Sequence, residues 1–176
     1  EWFDGPLALS GSISTGAGVL AAQVMGADFA YIGSAFIATE EARCDDRYKQ
    51  AVVDYNSDDI VYTNLFTGVH GNYLTPSIRA AGLDPDNLPK SDPSRMVWTE
   101  ERQSKKWDRY APKADTTTDI TVTAEATQGT DPVAIKAWKD VWGCGQGIGA
   151  VKKVQSTADY VAQLRSEYET AKASIR

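Results

Sequence analysis

The sequence predicts an α/β fold with a parallel sheet, and three observations predict it. Two short apolar runs, Pro6 to Ser10 and Asp28 to Gly33, both lead into a glycine–serine pair. The stretch between them carries a helical run of small and apolar residues, long enough for a right-handed crossover between parallel strands. Each run is bounded by a short polar loop, as buried strands of parallel sheets are.

In chain order, Pro6 to Ser10 reads as a buried strand and Ser12 to Gly16 as a tight loop. A helix follows from Ala17 to Met25, capped by Ser14 or Thr15 and stopped by Gly26. Asp28 to Gly33 is a second buried strand. After Ala35 to Ala42, a helix is expected over Asp46 to Tyr55. Ile60 to Leu65 has the β-branched character of a short strand or an extended excursion. Asn72 to Ala81 reads as helix despite Pro76, with Gly82 as its stop. Leu83 to Ser94 reads as a proline-rich loop, Met96 to Tyr110 as a surface helix, and Thr116 to Thr130 as a loop or insertion. Pro132 to Trp142 is expected to be a helix with Asp131 as its cap. Gly143 to Gly149 is a glycine-rich loop. Ser156 to Ile175 closes the chain as a helix, with Tyr160, Val161, Leu164, Tyr168 and Ala171 at helical spacing.

Composition narrows the function classes. A chain of 176 residues, 42% hydrophobic and 24% charged, can build one soluble globular domain. Its net charge of −6 and isoelectric point near 4.8 argue against nucleic acid, whose phosphates need clustered Lys and Arg. No apolar run reaches the length of a membrane-spanning helix. Cys44 and Cys144 fit no metal-ligand spacing, so no metal is expected and a reduced, cytoplasmic chain is the default. The opening Glu1-Trp2-Phe3-Asp4 has neither a methionine nor a signal-peptide pattern and reads as processed, excised or incomplete.

Chemistry concentrates in the two strand-end loops, Gly11-Ser12-Ile13 and Gly33-Ser34. Glycine lets a ligand approach the backbone, and amide hydrogens at a helix start favour an anion. In (β/α)8 barrels a phosphate site often lies in the loops after the last two strands. Other features read more plainly. His70, the single histidine, has no orienting partner in sequence and reads as a loop residue. Glu40 and Glu41 read as capping or solvated carboxylates. Cys144 reads as a small buried residue. Trp98, Trp107, Trp138 and Trp142 read as packing residues. Asp45-Asp46 and Asp58-Asp59 lack the spacing of a calcium loop.

The run from Leu7 to Ala22 resembles the stretch of FMN-dependent nitronate monooxygenases (the 2-nitropropane dioxygenase family) in which an apolar strand leads to a Gly-Gly-Ile loop. Met25 to Ala42 is similar to that family's Leu-Gly-Ala-Asp … Gly-Thr-Arg-Phe block. Tyr48-Lys49 and Thr67-Gly68 resemble its next landmarks, and Trp142 to Gly149 resembles its late Ala-Gly-Gln-Gly loop. The pieces fall in family order, with Leu7 to Ala42 the most specific.

The resemblance implies the C-terminal portion of a (β/α)8 TIM barrel, its last two strands with their phosphate loops, plus an appended helical region. Residues 1–45 would form the last strand–helix–strand unit, 46–142 the added helical or irregular region, and 143–176 the glycine-rich loop and the returning helix. It implies non-covalent FMN. Gly11 and Ser12 would cradle the phosphate from one loop and Gly33 and Ser34 from the other, with Tyr31 and Ile32 lining the strand end and Gly145 and Gln146 approaching the cofactor. The implied reaction oxidises alkyl nitronates with dioxygen to a carbonyl compound and nitrite. No residue here matches the family's catalytic histidine, which would lie with the first six strands before Glu1. Two departures stand out: Ser12 replaces a glycine, and Gly33-Ser34-Ala35 replaces Gly-Thr-Arg. The alternatives are a reductase like the FMN-dependent enoyl-acyl-carrier-protein reductases and a non-catalytic phosphate-binding fragment. Expected partners are a small nitronate or nitroalkane and dioxygen, with no nucleic acid or membrane and a homodimer left open.

Overall fold

Leu7 and Asp28 set the register of the first strand pair. The Leu7 amide donates to the Asp28 carboxylate at 2.8 Å, and the Asp28 amide donates to the Leu7 carbonyl at 2.8 Å. From there β1 (Ala8–Ser10) and β2 (Phe29–Tyr31) run parallel, with Ala8 opposite Phe29 and Ser10 opposite Tyr31. This computed structural model describes residues 3–89 and 140–175. The helix expected over 96–110, the loop or insertion over 116–130 and nearly all of the helix expected over 132–142 lie outside the described residues. The chain divides into two compact units, residues 1–60 with 143–176, and residues 61–142.

The first unit is α/β. Between its strands runs α1 (Gly16–Val24), whose N-cap Thr15 accepts from the Gly18 amide at 3.1 Å. Small residues along α1 admit the long helix at the end of the chain, α5 (Thr157–Ser174), to backbone contact. A Cβ added at Gly16 would lie 2.1 Å from the Leu164 carbonyl oxygen and 2.3 Å from the Tyr168 nitrogen, so only glycine fits there. The stripe that α5 turns inward comprises buried Tyr160 and half-buried Gln163, Leu164, Glu167, Tyr168 and Ala171. Val161, which the apolar spacing places on that stripe, is instead 50% exposed.

After β2 come a short helix, α2 (Ser34–Ile37), and α3 (Asp46–Asp54), whose N-cap Asp45 accepts from the Arg47 amide. On α3 the buried Lys49 has its ammonium satisfied by the Glu40 carbonyl at 2.9 Å and lies 3.8 Å from the Asp46 carboxylate. Glu41 caps a helix distant in sequence, accepting from the Thr157 amide and hydroxyl at 2.9 and 2.8 Å.

Both strands are expected to be buried, and they are not. Leu7, Phe29 and Tyr31 are 50, 61 and 67% exposed. An apolar run shows that a strand suits burial; it does not supply the layers that bury it.

The second unit holds its own core. β3 (Ile60–Thr63), which begins at the end of the first unit, pairs with β4 (Gly71–Leu74), and α4 (Thr75–Ala80) follows directly. The sequence reading merges β4 and α4 into one helix. Pro76 marks the difference: it sits in the first turn of α4, where its missing N–H costs nothing, so it signals the start of a helix and not the interior of one. Phe66, Ile78, Leu83 and Val141 form the core, with Tyr73 packed edge-on to Phe66 at 4.9 Å between ring centroids. Ser77 donates to the Leu74 carbonyl and accepts from the Trp142 amide, which fixes residues 140–142 against α4.

Candidate functional site

Three loops of the first unit converge on one open cleft of about 170 Å³. The first, at the end of β1, supplies Ser10, Gly11, Ser12, Ile13 and Ser14. The second, at the end of β2, supplies Tyr31, Gly33, Ser34 and Ala35. The third, near the other end of the chain, supplies Gly145 and Gly147. Parallel pairing explains the meeting of the first two: strands aligned in register release their following loops on the same side.

The third loop is fixed onto the other two by specific contacts. The Gly145 amide donates to the Ser34 hydroxyl oxygen at 2.7 Å. The buried Ser14 hydroxyl donates to the Gly147 carbonyl at 2.6 Å. A Cβ on Gly147 would come within 2.9 Å of the Ser12 carbonyl carbon and oxygen, so glycine alone permits this approach. A 3-10 turn over Gln146–Ala150 anchors the loop through Ile148, which is fully buried. Cys144 is also buried, and burial pushes its thiol up to about 12, so it is not a thiolate nucleophile at neutral pH. The neighbouring Gly143 carbonyl accepts from the Tyr48 hydroxyl.

The cleft can bind an anion without a cation. Among the described residues no Lys, Arg or His lines it. Four serines do, and among the described residues the amides of Ser12 and Ile13 meet no protein acceptor. The Ser34 oxygen already accepts from Gly145, so its one proton is left to donate elsewhere. Donors gathered without side-chain charge form the kind of concave nest that takes phosphate. At about 170 Å³ the cleft is smaller than the roughly 300–1,000 Å³ of a whole cofactor site, and it suits the tail of a ligand.

Of the residues that sequence reasoning names, Gly11, Ser12, Tyr31, Gly33, Ser34 and Gly145 line the cleft. Ile32 and Gln146 do not. Ile32 follows Tyr31 in an extended chain, where successive side chains take opposite faces. Gln146 is exposed, between two glycines that line the cleft. Ile13, which the sequence places in the first of these loops, lines the cleft too; sequence reasoning missed Ser10, Ser14, Ala35 and Gly147. The spacing of Gly147 in the glycine-rich loop was a signal; nothing local revealed that Ser14 would be buried against it.

The start of α1, the expected donor to an anion, is occupied. The Gly16 amide donates to the Glu167 carboxylate at 2.7 Å, and Gln163 holds the other oxygen of that carboxylate at 2.7 Å. His70 lies in the second unit, exposed and stacked on Tyr62 at 5.0 Å. Among the described residues no group of His, Cys, Asp and Glu could hold a metal ion. No described helix is long and apolar enough to cross a membrane.

A model of the nitronate monooxygenase family matches residues 3–167. The chain belongs to that family. Nitronate monooxygenases are flavin-dependent oxidoreductases. A probable nitronate monooxygenase of Staphylococcus haemolyticus is 36% identical over 63 residues, which is 36% of this chain and 18% of that protein. A nitronate monooxygenase of Paraburkholderia phytofirmans is 32% identical over 80 residues, 46% of this chain and 22% of that protein. Among solved structures, a nitroalkane oxidase from Streptomyces ansochromogenes superposes with a TM-score of 0.61 at 23% identity, covering 98% of this chain and 42% of that one. FabK from Thermotoga maritima superposes with a TM-score of 0.61 at 18% identity, covering 99% and 47%. These two superpositions establish the shared fold. The chain thus spans less than half the length of these solved structures, and its matched stretches span about a fifth of the curated relatives.

Proposed function

We propose that this chain is the cofactor-phosphate-binding part of an FMN-dependent nitronate monooxygenase, the C-terminal portion of its TIM barrel. The whole protein would oxidise alkyl nitronates with dioxygen to a carbonyl compound and nitrite, in the cytoplasm. The observation that carries this reading is the convergence of two glycine–serine loops and one glycine-rich loop on a cleft that, among the described residues, is lined by donors and no cation. In that cleft Ser12, Ile13 and Ser34 would hold the phosphate, and Gly147 keeps the space next to Ser12 open to backbone. Tyr31, at the rim and 67% exposed, would meet the rest of the ligand. Bound flavin supplies the redox chemistry; these residues bind and orient it. None of them is placed to move a proton, which agrees with a base contributed from elsewhere in the protein.

Titration of the chain with FMN and with riboflavin, followed by flavin fluorescence, tests the phosphate site. FMN is expected to bind at least about tenfold more tightly, the worth of roughly one charge-assisted hydrogen bond. Equal affinity for the two flavins would rule out a phosphate site here. With FMN added, the chain alone is expected to consume no oxygen on an alkyl nitronate, while the whole protein consumes it and leaves an enoyl thioester unreduced. Reduction of the thioester by the whole protein, with no nitronate oxidation, would move the assignment to the reductase alternative.

A further inference from the structure

We propose that Tyr160 is a positioning residue that sets the two phosphate-binding turns against each other; this rests on the reading of the cleft as a phosphate site. Tyr160 lies on α5, outside the cleft, and is only 4% exposed. Its two ends reach the two walls. The hydroxyl donates to the Ser14 carbonyl at 2.9 Å, on the turn after β1. The ring packs edge-on against Phe36 with centroids 5.0 Å apart and planes at 79°, on the helix that Ser34 begins.

The contact with Ser14 is passed onward. The Ser14 hydroxyl donates to the Gly147 carbonyl, and Gly147 abuts the Ser12 backbone. One buried phenol thus fixes Ser14, and through it the loop carrying the Ser12 and Ile13 amides. The same ring fixes α2, which carries Ser34. Burial, reinforced by the nearby Glu167 charge, pushes the phenol up to about 12, so it remains a donor across the neutral range. The first turn of α5 is itself held by the Ser156 cap and by Glu41. Tyr160 therefore stands on a fixed base.

Tyr160→Phe keeps the ring contact and removes only the bond to Ser14. It is expected to weaken FMN binding by about three- to tenfold and leave riboflavin binding unchanged, because only the phosphate reads the spacing of the turns. Tyr168→Phe is the control. It removes another α5 hydroxyl bond, to Gln23 on α1, without touching either turn, and the ratio of FMN to riboflavin affinity is expected to stay at its wild-type value. Inorganic phosphate competing with FMN should lose the same factor in Tyr160→Phe. An unchanged ratio in Tyr160→Phe, or an equal shift in both variants, would overturn the role of Tyr160. A wild-type chain that itself prefers neither flavin would overturn the phosphate site as well, and that result is read before any variant is made.

Discussion

Ser12 holds a backbone conformation that glycine adopts freely and serine does not. Its φ is +54°, in the left-handed region, next to Gly11 at +108°. Such a residue costs about 1 kcal/mol or more, which the Gly147 contact and the turn around it offset. Ser12→Gly is expected to raise stability by up to about 1 kcal/mol in urea unfolding, reduced by the extra freedom of glycine in the unfolded chain. Ser12→Val should lower it, since a β-branched residue is poorly suited to positive φ. Glu41 gives an acid-side expectation. Hydrogen bonds from the Thr157 side chain and backbone hold its carboxyl below the usual value of 4.5. A depressed carboxylate pKa stabilises the fold above the unfolded-state value and loses that effect as pH falls through the folded-state value. The difference in melting temperature between wild type and Glu41→Gln should therefore be present at about pH 7 and shrink as pH falls below the ordinary carboxylate value of 4.5.

Among the elements, the contact of α1 with α5 depends on a missing side chain. Gly16→Ala places a methyl 2.1 Å from the Leu164 carbonyl oxygen and 2.3 Å from the Tyr168 nitrogen, backbone atoms that cannot turn aside, with the Glu167 Cβ at 2.6 Å. Overpacking of this kind typically costs about 1–3 kcal/mol, and the urea midpoint should fall accordingly. The same variant should weaken FMN binding, because α5 carries Tyr160. How much of this was legible depends on the range of the forces involved. The first two strands, α1, α3 and α5 were readable from local periodicity and, for α1, from its cap Thr15. Missed were β4, where Pro76 ends one element and begins the next, and the exposure of Val161. Ser14 and Gly147 were missed as well, because their partnership spans 133 positions and no local pattern encodes it. The glycine loops were legible since both signal turns by residue type; the Glu167 cap on α1 was not, since a carboxylate on a helix face looks solvated until its partner is seen.

At the scale of the whole chain, the exposed strands matter most. Phe29 and Tyr31 stand two apart on one face of β2, 61 and 67% exposed. Apolar side chains on a parallel sheet normally lie under a layer. The chain by itself is therefore expected to bind a dye such as anilinonaphthalene sulfonate, and Phe29→Ser should reduce that signal without lowering the urea midpoint. Undiminished dye fluorescence in the variant would place the sticky surface elsewhere. The α/β class was legible here, while the lack of cover was not, because cover belongs to residues a strand's own sequence does not contain. The cleft itself joins segments that are synthesised far apart in time: the Ser34–Gly145 bond closes 111 positions of chain. A ribosome that has released only the first two loops presents an incomplete receptor. On the proposed phosphate site, flavin capture would report that translation has passed Gly147, and a nascent chain arrested earlier would be expected to emerge colourless, however well its opening segment has folded.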